Sequence, residues 1–266
     1  MDHKKDQNNQ TKIHSEIENG KEKENGEDQI MSDTTDRAKL LLGEQAMDRL
    51  KNATVLVAGI GGVGSFAAEA LARSQIGHLI LIDKDVVEPS NINRQLVAEL
   101  DTIGQSKVDV MKKRIANLNP ACKVDTFECF YDANMNETLA ALKPDLILDC
   151  IDSIGSKKDL IRFAQEHDID LISSMGMARK KDPSLISFME LEQTSYDPIA
   201  KILRVWKRKE KLRKPVWVVS SKEPPMNMEK GSVLPSMIFV PASAGLLMAS
   251  KAVSALSRGS RLHKGI

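Results

Sequence analysis

The chain contains little cysteine, and its cysteines lack the spacing through which such residues bind zinc. Cys122, Cys129 and Cys150 form no CxxC pair, which excludes a zinc site built from paired CxxC motifs. No cysteine follows Cys150, so the remainder of the chain offers no thiol nucleophile. The odd number of cysteines and the apolar residues around them predict that the three are reduced core thiols in a cytoplasmic protein.

Long apolar runs are also missing from the sequence. No uninterrupted apolar stretch reaches the ~20 residues that a membrane-spanning helix needs, and the stretch 241–256 contains Lys251 and several serines. The N-terminal segment has neither the apolar core of a signal peptide nor the Arg-rich pattern of a transit peptide. We therefore expect no membrane partner, and a packed helix around residues 241–256.

The first 36 residues differ in composition from the rest of the chain. They carry 5 Lys and Arg against 10 Asp and Glu. Such a segment buries too little apolar surface to offset the entropy of ordering it, so residues 1–36 are predicted to be a disordered polar tail. Residues 37–266 then keep 33 basic and 27 acidic residues. This excess of positive charge suits a polyanionic partner.

The rest of the chain alternates between strand-like and helical patterns. Helices are predicted over residues 38–50, 65–74, 106–117, 137–142 and 157–166, and strands over 54–58, 78–82, 123–130, 146–150, 171–173, 185–191 and 216–220. This order predicts an α/β fold with a Rossmann-like, doubly wound and mainly parallel sheet. The pattern changes at residue 184, which predicts a C-terminal α+β extension. We expect one domain over 37–260, with a nucleotide-binding part (37–183) and a substrate or dimer part (184–260).

A glycine-rich motif joins the first predicted strand to the first helix after it. The sequence VLVAGIGGVG places Gly59, Gly61, Gly62 and Gly64 at this strand-to-helix turn. In that context glycines permit a tight turn and let phosphate approach the backbone N–H groups at the helix N-terminus. Asp83 follows the next strand, 24 residues after Gly59, near the distance expected for a carboxylate that holds ribose hydroxyls. The motif predicts a nucleotide-binding site.

A second motif changes the prediction from nucleotide binding to a reaction. The segment LIDKDVVEPSNINRQ and the helix after it supply polar side chains to the same region, namely Asp83, Asp85, Asn91, Asn93, Arg94, Gln95 and Lys107. Two cations, Arg94 and Lys107, beside a triphosphate suit attack at the α-phosphate with pyrophosphate leaving, because they stabilise the charge that develops. Asp152 follows the fourth strand, at the carboxyl edge of the predicted sheet, where it could hold Mg²⁺.

A strongly basic helix is predicted after the parallel part of the sheet. Asp197 and Pro198 suit an N-cap and a first helical position, and Ile202, Val205 and Trp206 predict one apolar stripe. Residues 201–214 contain eight Lys and Arg against one Glu. Such a helix neutralises phosphates, and we predict that a nucleic acid binds here, at Lys201, Arg204, Lys207, Arg208 and Lys211. The alternative is a solvated charged face, in which case the nucleic-acid surface should be sought first around residues 179–181.

The two motifs together resemble the ATP-binding half of the ubiquitin-activating-enzyme-like superfamily, over about residues 37–255. The resemblance implies a ribose ligand at Asp83 and a phosphate-polarising set of Asn91, Arg94 and Lys107, with ATP as cofactor. It also implies a magnesium ligand at Asp152. An arginine near the start of this domain reaches the partner subunit's ATP site in the superfamily, and Arg37 matches that position. The resemblance therefore implies a homodimer.

Segments beyond these motifs are similar to one branch of that superfamily, whose members dehydrate threonylcarbamoyladenosine in tRNA. The similarity lies in DCIDSIGSK, SSMGMARKKDP, TSYDPIAKILRVWKRKEKLRK, VVSSKEPP and FVPASAGLLMASKAV. It implies adenylation of the threonyl carboxylate and closure to a cyclic base, without an enzyme nucleophile. It leaves open a sulfur-relay protein as a second partner.

Two other functions stay open at this point. The first is an adenylyltransferase that activates the C-terminal glycine of a ubiquitin-like sulfur carrier; the missing CxxC pairs disfavour it. The second is a non-catalytic NAD-binding module, which the Arg94 and Lys107 pair disfavours.

Overall fold

The computed structural model describes residues 34–229 and 233–262. The predicted tail up to residue 33 lies outside this part. Two compact units are found, residues 1–44 and residues 45–266. Within the first, residues 34–42 form a helix, α1, so residues 34–36 of the predicted tail are helical.

The single helix predicted over 38–50 is instead two helices. Gly43 adopts φ +84°, and its N–H donates to the Lys39 carbonyl at 2.8 Å. Because the left-handed conformation suits glycine and ends a helix, α1 stops here and α2 begins at Glu44 and ends at Asn52.

The larger unit is built on a seven-stranded sheet with the order β3-β2-β1-β4-β5-β7-β6. The strands are β1 Thr54–Ala58, β2 His78–Ile82, β3 Lys123–Phe127, β4 Leu146–Asp149, β5 Asp170–Ser174, β6 Ile186–Glu190 and β7 Trp217–Ser221. The remaining helices are α3 Gly64–Arg73, α4 Lys107–Leu118, α5 Asn136–Leu142, α6 Ile154–Glu166, α7 Pro198–Lys209 and α8 Phe239–Arg258. All neighbours pair in parallel except β6 and β7.

The central strands are buried on both faces, as the doubly wound prediction requires. Leu56, Ile80 and Ile147 face the same cluster as Leu160 of α6 and Trp206 of α7. Alternate residues of these strands point to the opposite face and are equally buried. The α/β, mainly parallel prediction is thus confirmed.

The chain direction places a crevice between β1 and β4. From β1 the chain moves outward to β2 and β3, and then returns to pair β4 with the other side of β1. Ligands of open α/β sheets bind at such a reversal point, outside the carboxyl ends of the strands. The glycine motif follows β1. Residues 150–153, which we call the Asp152 segment, follow β4, so both lie at this edge.

The end of β3 is the predicted strand boundary that differs most from the structure, while the other strand ends agree within one residue. β3 was expected to reach residue 130 but ends at Phe127, which pairs with Ile82, the last residue of β2. Because β3 lies at the edge of the described sheet, β2 is its one neighbour, and the pairing ends where β2 ends. The predicted α+β extension continues the same sheet: β7 adds in parallel beside β5, and β6 pairs with β7 in the antiparallel sense.

Helix α8 packs closely on α3. It is the one helix in the described residues long and apolar enough to span a bilayer, and half of its most apolar window is buried inside the protein. A Cβ on Gly245 would lie 2.2 Å from the Val63 carbonyl oxygen and 3.1 Å from the Ala67 nitrogen. Ala249 and Ala252 are also buried. The predicted packed helix is therefore confirmed, and small residues set its distance from α3.

Replacing Gly245 with alanine should destabilise this helix pair. The added methyl group would overlap the Val63 carbonyl, and overpacking typically costs about 1–3 kcal/mol. We expect the urea midpoint to fall at an unchanged m-value. Gly155→Ala in α6 is the control, since its Cβ would meet only Ser153 Oγ at 3.9 Å. Equal effects of the two substitutions would contradict the packing argument.

Candidate active site

The glycine turn after β1 lies directly against the end of β4. Gly59 has φ +89°, and a Cβ there would lie 2.7 Å from the Cys150 carbonyl oxygen. A Cβ on Gly64 would lie 1.7 Å from the Gly59 carbonyl oxygen. Neither position accommodates a side chain. The two glycines therefore bring the start of α3 and the segment after β4 into one small region.

Asp83 holds the turn in place from the end of β2. Its Oδ2 accepts a hydrogen bond from the Ile60 N–H at 2.6 Å, and its Oδ1 accepts one from the Asp85 N–H at 2.8 Å. Each carboxylate oxygen keeps a second lone pair. Asp83 thus has a structural function beside its predicted role as ribose ligand.

Lys107 is the first residue of α4 and extends its ammonium toward the same region. Its side chain is 5% exposed, and Nζ lies 3.1 Å from Asp85 Oδ2. The Lys107 backbone N–H also donates to the Asp85 carbonyl at 3.1 Å. Since an ammonium has three donors, one carboxylate partner fixes Lys107 and leaves capacity for a phosphate.

Arg94 packs over the glycine turn. A Cβ on Gly62 would lie 3.6 Å from Arg94 Cγ. Arg94 Nη1 donates to the Ser90 carbonyl at 2.8 Å and to Asn93 Oδ1 at 2.9 Å. Within the described residues, Nε and Nη2 of Arg94 have no hydrogen-bond partner. The guanidinium is therefore held by one nitrogen, and its other donors are available to an anion.

The neighbouring polar side chains line or support the turn. Buried Asn91 accepts a hydrogen bond from the Glu88 N–H through Oδ1 at 3.2 Å, which closes a short 3₁₀ turn. Gln95 Nε2 lies 3.9 Å from a Cβ position on Gly61, and buried Gln95 Oε1 finds no donor in the described part of the chain. Asn93 Nδ2 donates to the Ser236 carbonyl at 2.9 Å.

Asp152 lies in the segment that touches Gly59. Its side chain is exposed, and no hydrogen bond or ion pair from the described residues holds its carboxylate. A cluster of three His, Cys, Asp or Glu side chains suited to a metal is not found among the described residues. Asp152 is therefore a single free carboxylate at the carboxyl edge of the sheet.

A buried polar network beneath Asp152 was not predicted from the sequence. Lys157 Nζ donates to Asp149 Oδ2 at 2.9 Å, to Ser173 Oγ at 3.2 Å and to the Ser174 carbonyl at 2.9 Å. Both charged side chains are fully buried. Asp149 Oδ1 accepts a hydrogen bond from the Ile151 N–H at 3.2 Å. The network thus ties the Asp152 segment to β5, and a lysine on the buried face of α6 was the signal in the sequence.

The three cysteines are free thiols. Burial raises the pKa of the Cys122 thiol to about 11, and burial also raises the pKa of Cys129 and Cys150. Because the thiolate is the reactive form, none of them is activated as a nucleophile.

Helix α7 begins as predicted but buries a different face. Asp197 Oδ1 accepts a hydrogen bond from the Ala200 N–H at 2.9 Å, which confirms the N-cap. The predicted apolar stripe is wrong, since Ile202 and Val205 are 42% and 41% exposed. The buried residues are Ala200, Leu203, Trp206 and Lys207. Contacts with α6 and with the segment after β6 decide which face of α7 is buried. The periodicity of the α7 sequence carries no information about these contacts.

The predicted basic cluster separates into buried and exposed members. Lys207 is buried, and its Nζ forms an ion pair with Glu192 Oε1 at 2.6 Å. Arg204 donates through Nη1 to the Thr194 carbonyl at 3.1 Å and to Thr194 Oγ1. Lys201, Arg208 and Lys211 are exposed. Lys207 is therefore not part of the exposed basic face, while the predicted tRNA role of the exposed residues stays a prediction.

Arg37 lies on α1 and is exposed. Leu40 and Leu41, three and four residues later, are 88% and 83% exposed. Because residues three and four apart share a helix face, Arg37 has two exposed leucines beside it.

Comparison with known proteins identifies relatives along nearly the whole domain. A model of the ThiF family matches residues 35–263. The tRNA threonylcarbamoyladenosine dehydratase of Bacillus subtilis is 43% identical over 82% of this chain and 92% of its own length. The enzyme of the same name from Escherichia coli is 35% identical, over 80% of this chain and 78% of its own length.

A solved structure is similar over the same range. The E. coli tRNA N6-threonylcarbamoyladenosine dehydratase in complex with ATP superimposes with a TM-score of 0.80 at 32% identity, covering 86% of this chain and 95% of that chain. The molybdopterin-synthase adenylyltransferase of Salmonella typhimurium is 30% identical over 56% of this chain. The likeness to sulfur-carrier enzymes is thus shorter.

Replacing Lys157, which carries the buried ammonium, should lower the free energy of unfolding. Lys157→Met leaves Asp149 charged and unpaired in the core, and loss of one partner of a buried ion pair typically costs about 3–5 kcal/mol. We expect that decrease in the free energy of unfolding, measured in urea. The double variant Asp149→Leu, Lys157→Met should recover part of it, because no lone charge remains buried. Lys112→Met, at an exposed position of α4, is the control, and an equal loss there would refute the assignment.

Proposed function

The chain belongs to the ThiF family, and on that premise we propose that it converts N6-threonylcarbamoyladenosine in tRNA to its cyclic form with ATP. The observation that carries the proposal is the placement of Arg94 and Lys107 beside the glycine turn. The relative from B. subtilis, named for this reaction, supports it at 43% identity over 92% of its length. ATP in the E. coli structure supports the cofactor.

The reaction balances without an enzyme nucleophile. A threonyl carboxylate oxygen attacks the α-phosphorus of ATP, and the bond to the pyrophosphate oxygen breaks. A nitrogen within the substrate then attacks the carboxyl carbon, AMP leaves with the former carboxylate oxygen, and the nitrogen's proton passes to solvent. The substrate loses the elements of water, while ATP becomes AMP and pyrophosphate. The raised pKa of the cysteine thiols agrees with this route.

The chain's own residues contribute binding and electrostatic stabilisation. The N–H groups at the start of α3 face the phosphates. Arg94 offers Nε and Nη2, and Lys107 offers the donors that Asp85 leaves free. Both cations are fixed before substrate arrives, so little reorganisation is needed when negative charge develops on the α-phosphate.

Asp152 is the proposed ligand of Mg²⁺. Mg²⁺ in nucleotide sites is commonly held by one or two carboxylates together with substrate phosphates, and a single exposed carboxylate beside the glycine turn fits that pattern. When bound, the ion would neutralise phosphate charge. The network of Asp149 and Lys157 holds the Asp152 segment in position.

The homodimer is also part of the proposal. Arg37 would complete the ATP site of a second copy, and exposed Leu40 and Leu41 on the same helix face would dock on that copy. Burial of two leucines is favourable by roughly 1.5–3 kcal/mol each. A two-fold arrangement would form two equivalent sites.

We place tRNA on the exposed face of α7, through Lys201, Arg208 and Lys211. A cytoplasmic location, without a membrane partner, is proposed in keeping with three free thiols. A sulfur-relay protein stays a predicted partner, which a pull-down with the purified chain would test.

An isotope experiment tests the reaction. The protein is incubated with ATP, Mg²⁺ and tRNA whose threonyl carboxylate carries ¹⁸O. We expect AMP containing one ¹⁸O, pyrophosphate, and a nucleoside lighter by one water on mass spectrometry. Formation of ADP would refute adenylation. AMP formed only with a small ubiquitin-like protein would favour the sulfur-carrier function, and stabilisation by NAD but not ATP would favour a dinucleotide-binding module.

Loss of either phosphate-facing cation should slow the reaction. Arg94→Ala or Lys107→Ala should reduce the rate of AMP formation about 10²–10³-fold, because each removes preorganised positive charge from the transition state. Lys112→Ala, an exposed cation elsewhere on α4, should leave the rate within about twofold of the parent value. Comparable losses in all three variants would indicate general electrostatics rather than a defined site.

Mixing two inactive variants should restore activity if Arg37 acts across the dimer. A heterodimer of Arg37→Ala and Lys107→Ala subunits contains one site with both residues intact. We expect the mixture to recover up to about a quarter of the parental rate, since half of the dimers are mixed and each has one intact site of two. A fully active monomer, measured by light scattering at assay concentration, would refute the shared site.

A further inference from the structure

The exposed face of α7 begins with a tyrosine in an unusual backbone conformation. Tyr196 precedes the N-cap Asp197, has φ +56°, and its side chain is 62% exposed. A left-handed conformation is a genuine outlier for a bulky residue and stores strain of about 1–3 kcal/mol. In the described residues, no hydrogen bond or ring contact holds the Tyr196 side chain. The strain therefore presents an unpartnered aromatic ring to solvent.

A hydrogen bond of the next residue, Asp197, positions the Tyr196 backbone relative to the sheet. Asp197 Oδ2 accepts a hydrogen bond from the Gly176 N–H at 2.9 Å, and Gly176 follows β5, which ends at Ser174. Tyr196 is therefore at the carboxyl edge of the sheet, the edge that carries the glycine turn. Since β5 is two strands from β1 and strands are about 4.8 Å apart, roughly 10 Å separates the two strands.

The basic end of α7 lies at the opposite edge. Lys214, after α7, pairs with Asp168 at 2.8 Å, and Asp168 lies two residues before β5, which begins at Asp170. A helix of 12 residues is about 18 Å long. The exposed face thus extends from Tyr196, at the edge that carries the glycine turn, to Arg208 and Lys211 about 18 Å away.

The composition of the face indicates RNA rather than protein. Exposed cations occupy it at Lys201, Arg208, Lys209 and Lys211, and none of them has an ion-pair partner in the described residues. The one acidic residue of the segment, Glu210, is paired with Arg162 at 3.1 Å. Ile202 and Val205 provide exposed apolar surface between the cations.

We propose that Tyr196 is a stacking platform for an unpaired base of the tRNA, next to the modified adenosine, while the adjoining phosphates follow α7 to Arg208 and Lys211. This rests on the proposed function and names the element that recognises its substrate. Bases in a duplex are stacked on each other and are not available to such a ring, whereas bases in a loop can be unstacked onto aromatic side chains. The face therefore selects a single-stranded loop with a helical stem beside it.

Two substitutions separate the ring from the backbone strain. Tyr196→Asn removes the ring, and asparagine tolerates the left-handed conformation, so the fold is retained. Tyr196→Phe keeps the ring. Stacking on aromatic residues contributes enough that Tyr196→Asn should weaken binding of an RNA hairpin with an unpaired loop about 5- to 100-fold. Tyr196→Phe should bind within about twofold of the parent protein.

Salt dependence and a paired RNA provide the specific readouts. Tyr196→Asn should leave the salt slope of hairpin binding unchanged, because no phosphate contact is lost. Arg208→Glu with Lys211→Glu should flatten that slope by about one unit per lost contact. A fully paired RNA of equal length should bind Tyr196→Asn and the parent protein equally. Abasic substitutions along the loop should reveal one nucleotide whose loss is not additive with loss of the ring.

The outcomes distinguish this inference from the function on which it rests. If the parent protein neither binds nor converts the tRNA, the proposed function is wrong. If it does both, and Tyr196→Asn binds the hairpin as tightly as the parent, the stacking platform is wrong and the function stands. Equal weakening toward hairpin and duplex, or additivity with every abasic position, would also overturn it. Thermal unfolding of each variant checks that the fold is retained.

Discussion

The close approach of the turn after β1 to the end of β4 is the constraint on which the site depends. Gly59 and the Cys150 carbonyl leave no room for a Cβ, so the start of α3 and the Asp152 segment meet at the reversal point of the sheet. Asp83 completes this arrangement from β2 through its bond to the Ile60 N–H. The two cations that we propose to face the phosphates lie beside this arrangement, Arg94 over Gly62 and Lys107 against Asp85. Sheet topology thus accounts for the convergence of residues that are far apart in the chain.

The buried pair of Asp149 and Lys157 extends that constraint to β5. Two charges in the core are unfavourable unless hydrogen bonds satisfy them, and here all three ammonium donors find oxygen partners. The arrangement binds the last residue of β4, the start of α6 and the end of β5 into one unit. A hydrophobic replacement could give similar stability, but it would not fix the Ile151 N–H through Asp149 Oδ1. We interpret the pair as fixing geometry at the edge of the sheet, where Asp152 must be placed.

The sequence predicted the strands and the glycine turn well because their signals are local. Short continuous apolar runs and glycines at defined spacing placed β1, β2 and α3 almost to the residue. The errors came from tertiary contacts. Gly43 divides a helix whose apolar pattern looks continuous, and α7 buries Lys207 instead of Val205 because Glu192 offers a carboxylate there. The ion pair of Asp149 and Lys157 joins different elements, so the lysine on the buried face of α6 signals a buried partner but does not identify Asp149 as that partner.

The direction of α7 determines how far the positive charges of the basic segment lie from the glycine turn. Asp197 ties the helix N-terminus to the carboxyl edge of the sheet, and Lys214 ties the following segment to the amino edge. Most of the positive charge is therefore remote from the glycine turn. Charge at that distance cannot stabilise the α-phosphate, since exposed charges beyond about 10 Å are screened. A long polyanion that reaches from the site to the far end of α7 is the ligand that such a separation suits, because Asp197 ties the N-terminus of the helix to the edge that carries the glycine turn and Lys214 lies at the other edge.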